Sequence, residues 1–323
     1  MKHRIEHLDA MRGIAALLVV VQHGLERTTQ YFDAPWIVLD AVNLGRFGVV
    51  LFFLISGFVI PFSFRGDQPI RNFAISRTFR LLPALWLSVA LLLLVKGPAP
   101  LDVVIANMAM IARPLGLPEL SGVYWTLSYE LGFYIVCALV FWKGSIFDHR
   151  LQTGAITLLL ACCFLWGIYS WIYFCYMFLG MLMRLAFLEG NEGAKRLWKT
   201  YALLLAGSAI LLTMQSPGSM FLKPVATTVA MVLPIAIFTA AIAWKPDVPG
   251  WLVWLGKISY SVYLLQSIAL HACKPLAAVS IPLYLSASIA MVIAMAALSY
   301  QLVEEPLNRF GKRLTRKPQP LAA

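Results

Sequence analysis

The sequence predicts an all-α, polytopic transmembrane protein with about ten membrane-spanning helices and both termini in the cytoplasm. Of its 323 residues, 60% are hydrophobic and only 13% are charged, whereas an ordinary soluble domain carries about 25% charged residues. The apolar residues also fall in long blocks, and a spanning helix needs about 20 mostly apolar residues in succession. Composition and patterning therefore exclude a soluble fold.

Prolines and glycines divide the apolar blocks and set the ends of the predicted spans. The spans are 8–27, 44–65, 76–96, 122–142, 152–168, 170–188, 199–214, 222–243, 252–272 and 280–303. The stretch 101–112 is too short to cross a bilayer and is predicted to be an amphipathic or re-entrant piece. One transmembrane domain thus covers residues 1–303, and residues 304–323 form a short basic cytoplasmic tail.

Basic residues support this topology. The formal net charge is +11, and lysine and arginine collect in the cytoplasmic loops of membrane proteins. With both termini inside, the ten spans place 20 of the 26 basic residues on the inner side and 6 on the outer side. Topology therefore explains the charge, and nucleic-acid binding is not expected.

The first span contains two ionisable residues, Arg12 and His23. Charged groups are costly inside a membrane, so each is a candidate functional residue. They are eleven positions apart, which puts them on one helix face about 16 Å apart. His23 could act as a general base, or it could be a packing histidine. Arg12 could be functional, or it could be an interfacial residue that extends to water.

The third predicted span begins with two arginines, Arg77 and Arg80, and Arg71 lies just before them. Arg77 and Arg80 share a helix face because they are three positions apart. A helix N-terminus favours anions, and guanidinium groups fit phosphates. The sequence therefore predicts a cytoplasmic anion site, with ordinary positive-inside topology as the alternative.

The fourth predicted span opens with Trp125, Ser128, Tyr129 and Glu130 and enters from the outer side. Tryptophan is an ordinary interfacial residue. A carboxylate roughly 7 Å deeper is not, so Glu130 is expected to meet an arginine, a histidine or a substrate hydroxyl.

Several other patterns carry structural rather than catalytic expectations. Glu304 and Glu305 end the last span, as a solvated pair or as salt-bridge partners of loop arginines. Gly48, Ser56 and Gly57 of the second predicted span are predicted to allow close helix packing. The cysteines show no metal-ligand spacing, and no metal site is predicted. The sequence also lacks the phosphate-loop, GxSxG and HExxH motifs.

Together these residues resemble the acyltransferase-3 family of bacterial membrane O-acyltransferases. LDAMRGIAALLVVVQH is similar to the family's first-helix pattern of a basic residue, ten residues and a histidine. GRFGVVLFFLISGFVI, RTFRLLP, VYWTLSYELGFY, ISYSVYLLQ and SYQLVEEPLNR are similar to later family motifs and occur in family order. Two positions depart from the pattern: Val50, where the family often has aspartate, and Gln266, where it often has histidine.

The resemblance implies transfer of a short acyl group, such as acetyl, across the bacterial inner membrane. The donor would be cytoplasmic acyl-CoA, and the acceptor a hydroxyl of a sugar, glycolipid or cell-envelope polysaccharide. No permanently bound cofactor is expected beyond this donor substrate, and the partners would include membrane lipids. The implied catalytic residues are His23, Arg12 and Glu130, with Glu130 orienting His23 or binding acceptor hydroxyls. The implied CoA-binding residues are Arg77, Arg80 and Arg71, and the implied acceptor-binding residues are Trp125, Ser128 and Tyr129.

A transporter or flippase for a polar or lipid-linked solute is the main alternative. Its intramembrane arginine, histidine and glutamate would then form a substrate or proton path. The sequence shows no clear inverted repeat, which disfavours transport. A non-catalytic membrane scaffold is a third interpretation. The sequence does not indicate the oligomeric state.

Overall fold

The computed structural model describes residues 5–32, 39, 41–144, 146–215 and 224–315, and every regular element within them is helical. The ten long helices are α1 Glu6–Thr28, α2 Leu44–Val59, α3 Pro69–Lys96, α5 Trp125–Trp142, α6 His149–Trp166, α7 Ile172–Phe187, α8 Glu192–Gln215, α9 Pro224–Trp244, α10 Gly250–Ala272 and α11 Ile281–Ser299. Two short helices are α4 Leu101–Met108 and α12 Glu305–Leu314.

The long helices lie at the ten predicted spans, and α4 is short, as expected of the stretch 101–112. Seven of the described helices are long and apolar enough to cross a membrane: α1, α3, α5, α7, α8, α9 and α11. Helix α2 is apolar but shorter. The chain is therefore an all-α integral membrane protein, while the count of ten spans and the cytoplasmic termini stay predictions.

Helix α1 is central to the bundle, packed between α10 and α2, and α2 packs in turn on α7. Small residues allow these close approaches. A side chain at Gly48 would collide with the Ala15 carbonyl of α1, and one at Gly57 would collide with the Met177 carbonyl of α7. The prediction that Gly48 and Gly57 permit close packing is confirmed.

The C-terminal end of α11 continues through a π-helical turn, Tyr300–Glu304, into α12. Glu304 is 3% exposed and accepts a hydrogen bond from the Ser261 hydroxyl of α10. The expectation of a solvated pair is therefore wrong for Glu304, because the π-turn rotates this carboxylate into the bundle. The domain boundary between residues 303 and 304 stays a prediction, and residues 316–323 of the predicted tail lie outside the described residues.

Candidate active site

Two adjoining cavities lie among α1, α2, α3, α5 and α10, with about 550 Å³ and about 280 Å³ of empty space. Four residues line both: Arg12, Ser56, Arg80 and Glu130. The structure thus brings together Arg12, Arg80 and Glu130, which the sequence singled out only separately. Ser56 of α2, predicted as a packing residue, lines the cavities with them. We call the two cavities together the arginine cavity.

One side of the arginine cavity is mainly apolar. Its walls there are Val49, Phe52, Phe53, Leu81, Thr126, Leu127, Tyr260 and Tyr263. The Tyr263 hydroxyl donates to the Val123 carbonyl at 3.0 Å and lies 2.9 Å from Thr126 Oγ1. These bonds hold the start of α5 against α10, so the apolar wall is fixed between two helices.

The guanidinium groups of Arg12 and Arg80 make no hydrogen bond or ion pair with any residue that the structure describes. The electrostatic neighbours of Arg12 are Arg80, Asp9, Glu130 and Tyr134. Arg80 also interacts electrostatically with Tyr134. Each guanidinium offers five N–H donors, and unmet donors inside a membrane protein are costly. Two guanidinium groups that face one cavity therefore form a site that can bind an anion.

Arg77 lies at the other side of the arginine cavity, one helical turn before Arg80. Its guanidinium is over the rings of Phe73 and Tyr134, at 5.5 and 5.2 Å, and donates to the Ser63 hydroxyl. Its Nε is buried without a hydrogen-bond partner among the described residues. Arg77 is thus positioned by aromatic contacts and keeps a donor unsatisfied.

Two carboxylates accompany the arginines. Glu130 accepts a hydrogen bond from the Tyr134 hydroxyl, one turn further along α5. Buried Glu304 lies within electrostatic reach of Arg80 and Arg12. Sequence reasoning missed Tyr134 as a member of this site and Glu304 as its electrostatic neighbour. The spacing of four residues after Glu130 could have indicated Tyr134, whereas the packing of the π-helical turn Tyr300–Glu304 against α3 had no signal in the sequence.

His23 does not line the arginine cavity; it lies three turns further along α1. Its Nδ1 is 2.9 Å from Glu26 Oε2, and its side chain is 35% exposed. Gln22 Nε2 donates to Glu26 Oε1 at 2.7 Å, and Gln22 Oε1 accepts from the Leu44 N–H at 2.9 Å. A carboxylate that accepts from Nδ1–H leaves Nε2 able to take a proton, the arrangement of a general base and its orienting partner.

The carboxylate beside His23 is therefore Glu26, and the structure does not bring Glu130 to His23. Glu130 is on α5 and is bonded to Tyr134. Glu26 was missed in the sequence, although an acidic residue three positions after a histidine shares its helix face. Its place in the last turns of α1 made it look like an ordinary residue of the membrane surface.

Arg71 and Ser128 lie outside the arginine cavity. Arg71 is exposed in the first turn of α3 and donates to Gln68 Oε1 at 3.2 Å. The Ser128 hydroxyl donates to the Met110 carbonyl at 2.8 Å and ties α5 to the loop after α4. Neither contact places these side chains near the unpaired arginines.

Trp125 and Tyr129 belong to an aromatic cluster behind the cavity wall. Their ring centroids lie 5.1 and 5.8 Å from that of Tyr173, which is on α7. The Arg113 guanidinium covers Trp125 at 5.6 Å. The implied role of these residues in acceptor binding stays a prediction, and the contacts that the structure gives them are packing contacts.

The positions that depart from the family pattern are both fully buried. Val50 is part of the hydrophobic core. The Gln266 amide donates to the Tyr263 carbonyl at 2.9 Å, while its Oε1 has no partner among the described residues. Gln266 thus buttresses the segment of α10 that carries Tyr263.

A family model described as an acyltransferase domain matches residues 5–300. The chain belongs to this acyltransferase-3 family. It is also 27% identical to nodulation protein 10 of Rhizobium leguminosarum bv. viciae, over 49% of this chain and 49% of that protein. The match thus spans about half the length of this curated relative. No solved structure matches the chain.

Membership of the acyltransferase-3 family confirms the resemblance that the sequence motifs indicated. The two residues of the family's first-helix pattern lie in two different surroundings in this structure. Arg12 faces the arginine cavity, and His23 forms a pair with Glu26. The arrangement can hold an anion at one end of α1 and accept a proton at the other.

Proposed function

We propose that this protein is a membrane O-acyltransferase that moves a short acyl group from cytoplasmic acyl-CoA to a hydroxyl group. The acceptor would be a sugar, a glycolipid or a cell-envelope polysaccharide. The observation that carries the proposal is the pair of guanidinium groups of Arg12 and Arg80, which face one cavity without a partner among the described residues, in a member of the acyltransferase-3 family. Such a cavity suits a substrate with an anionic end.

The donor's phosphates would bind Arg77, Arg80 and Arg12, since guanidinium forks match phosphate oxygens. The uncharged arm of the donor would then lie along the apolar side of the cavity, past Phe52 and Phe53. Glu130 would accept a hydrogen bond from the donor or position Arg12 through its negative charge.

The reactive end of the donor would extend from the arginine cavity towards His23. Eleven helical residues separate Arg12 from His23, a rise of about 16 Å. Acyl-CoA carries its thioester at the end of a long flexible arm, so one molecule can reach both places. In this proposal Arg12 binds the donor phosphates, a role different from the catalytic one that the resemblance implied.

His23 would act as the general base. The acceptor hydroxyl attacks the thioester carbonyl while His23 Nε2 takes its proton, and Glu26 stabilises the resulting imidazolium. The tetrahedral intermediate collapses with loss of the CoA thiolate, which receives the proton from His23. The products are the ester and free CoA, and no covalent acyl-enzyme is needed.

This function implies an orientation in the bacterial inner membrane. The arginine cavity would open to the cytoplasm, where acyl-CoA is made, and His23 would face the outer side. Both termini would then be cytoplasmic, in line with the distribution of basic residues. Membrane lipids surround the bundle, and the proposal requires no particular oligomeric state.

The test uses the purified protein in detergent with radiolabelled acetyl-CoA and isolated cell-envelope glycans. We expect release of CoA and transfer of label to one class of glycan. Absence of thioester consumption with every acceptor would contradict the proposal. Uptake of a labelled glycan or lipid-linked sugar into proteoliposomes without acylation would instead support a transporter or flippase.

A further inference from the structure

Helix α12 is strongly amphipathic. Leu307, Phe310 and Leu314 are spaced three and four positions apart, so they form one stripe along the helix. Their side chains are 37%, 49% and 43% exposed. The protein therefore leaves an apolar face of α12 only partly covered.

The other side of α12 is basic. At 100° per residue, Arg309 and Lys312 lie roughly 130–170° from the middle of the apolar stripe, and Arg313 flanks the stripe at roughly 90°. The helix contains one acidic residue, Glu305, which pairs with Arg309 at 2.7 Å. Lys312 and Arg313 are exposed and carry the remaining positive charge of the helix.

Helix α12 directly continues an apolar helix. It follows α11, which is long and apolar enough to cross a membrane, through the π-helical turn Tyr300–Glu304. Phe310 meets Phe79 of α3 edge-on at 5.5 Å, and Gly311 packs against the same ring. These contacts dock one flank of α12 on α3 through Phe310 and Gly311. Leu307 and Leu314 of the stripe stay partly exposed, and Lys312 and Arg313 are exposed.

We propose that α12 is an interfacial helix that binds anionic phospholipid headgroups. Its apolar stripe would enter the boundary of the acyl chains, and Lys312 and Arg313 would contact the headgroup phosphates. Charge complementarity identifies this partner, because a basic face with an apolar underside fits an anionic leaflet. Each basic residue near such a surface contributes about 1 kcal/mol, which is about fivefold in binding.

The experiment measures hydrogen exchange of the full chain in nanodiscs of phosphatidylcholine alone or with one third phosphatidylglycerol. We expect amides of residues 305–314 to exchange at least fivefold more slowly with phosphatidylglycerol. The protection should disappear in 1 M salt, where the Debye length is about 3 Å. The double variant Lys312→Gln/Arg313→Gln should lose the lipid effect and match the wild type in phosphatidylcholine.

A matched control is Lys195→Gln/Arg196→Gln, which removes the same charge from α8. It should keep the lipid effect on residues 305–314. Equal exchange in both lipids would overturn the proposal, and so would a lipid effect that survives the Lys312/Arg313 substitutions. A lipid effect lost in both double variants would also overturn it, because the cause would then be net charge rather than this helix.

Discussion

The two ends of α1 differ in how their polar groups are satisfied. At Arg12, the guanidinium faces a cavity beside Arg80, without a partner among the described residues. At His23, the ring, Glu26, Gln22 and the Leu44 N–H form a connected hydrogen-bonded chain in which the side chains of His23 and Glu26 are partly exposed. Unmet charge in an apolar bundle indicates a site for a charged ligand, whereas a completed network indicates a group held ready for proton transfer.

The division between the two ends of α1 requires that the arginine cavity opens to the cytoplasm and that His23 faces the outer side of the membrane. Two kinds of reporter enzyme are used, one active only in the cytoplasm and one active only outside. After Ala323 only the cytoplasmic reporter should be active, and at Ser219 only the external one, because the ten-span topology places these positions on opposite sides of the membrane. Enzymatic reporters that fold in a single compartment give an all-or-none signal. The reverse result at either position would refute the orientation.

Removing the base should have the largest effect on rate. His23→Gln keeps the size and some hydrogen bonding of the side chain but cannot accept a proton at neutral pH. Turnover of acetyl-CoA should fall on the order of 10²–10⁴-fold, with the thermal unfolding temperature unchanged. His271→Gln, at an exposed position near the end of α10, is the matched control and should be close to wild type. Near-normal turnover by a folded His23→Gln protein would identify a packing histidine.

Removing a cavity arginine should act on the donor. Arg80→Ala should raise KM for acetyl-CoA about 10–100-fold, since a charged hydrogen bond contributes about 1.5–3 kcal/mol. Arg80→Lys should recover part of this, because lysine lacks the planar fork. The matched control is Arg71→Ala, whose guanidinium bonds only to Gln68 on the surface. Equal effects of the Arg71 and Arg80 substitutions on KM would show that the cavity arginine does not bind the donor specifically.

Removing Glu26, the partner of the proposed base, should have the smallest effect on the rate. Glu26 and His23 are 47% and 35% exposed, and an exposed ion pair contributes at most about 1 kcal/mol. Glu26→Gln should therefore lower kcat up to about fivefold and leave KM for acetyl-CoA unchanged. Steady-state kinetics at saturating acceptor measures both. A change in KM alone would remove Glu26 from the catalytic step.

The sequence predicted the features that depend on a single helix. Hydropathy located all ten long helices, and the 3.6-residue period placed Arg12 and His23 on one face of α1. It could not predict which helices meet in space, so it left an arginine, a histidine or a substrate hydroxyl open as the partner of Glu130, and the structure places Glu130 beside the arginines. Tyr260 and Tyr263 lie in the motif ISYSVYLLQ but were given no role, because aromatic residues in an apolar helix are usually packing residues. Glu304 was misjudged because a π-turn changes which face a residue presents.

The most direct test of the division between the two ends is the affinity for free CoA, measured by calorimetry on purified variants. Free CoA carries the phosphates but no acyl group, so it reports on the arginine cavity alone. The account predicts that Arg80→Ala weakens CoA binding about 10–100-fold, whereas His23→Gln binds CoA like the wild type. Equal weakening by both substitutions, or unchanged affinity in a folded Arg80→Ala protein, would contradict it.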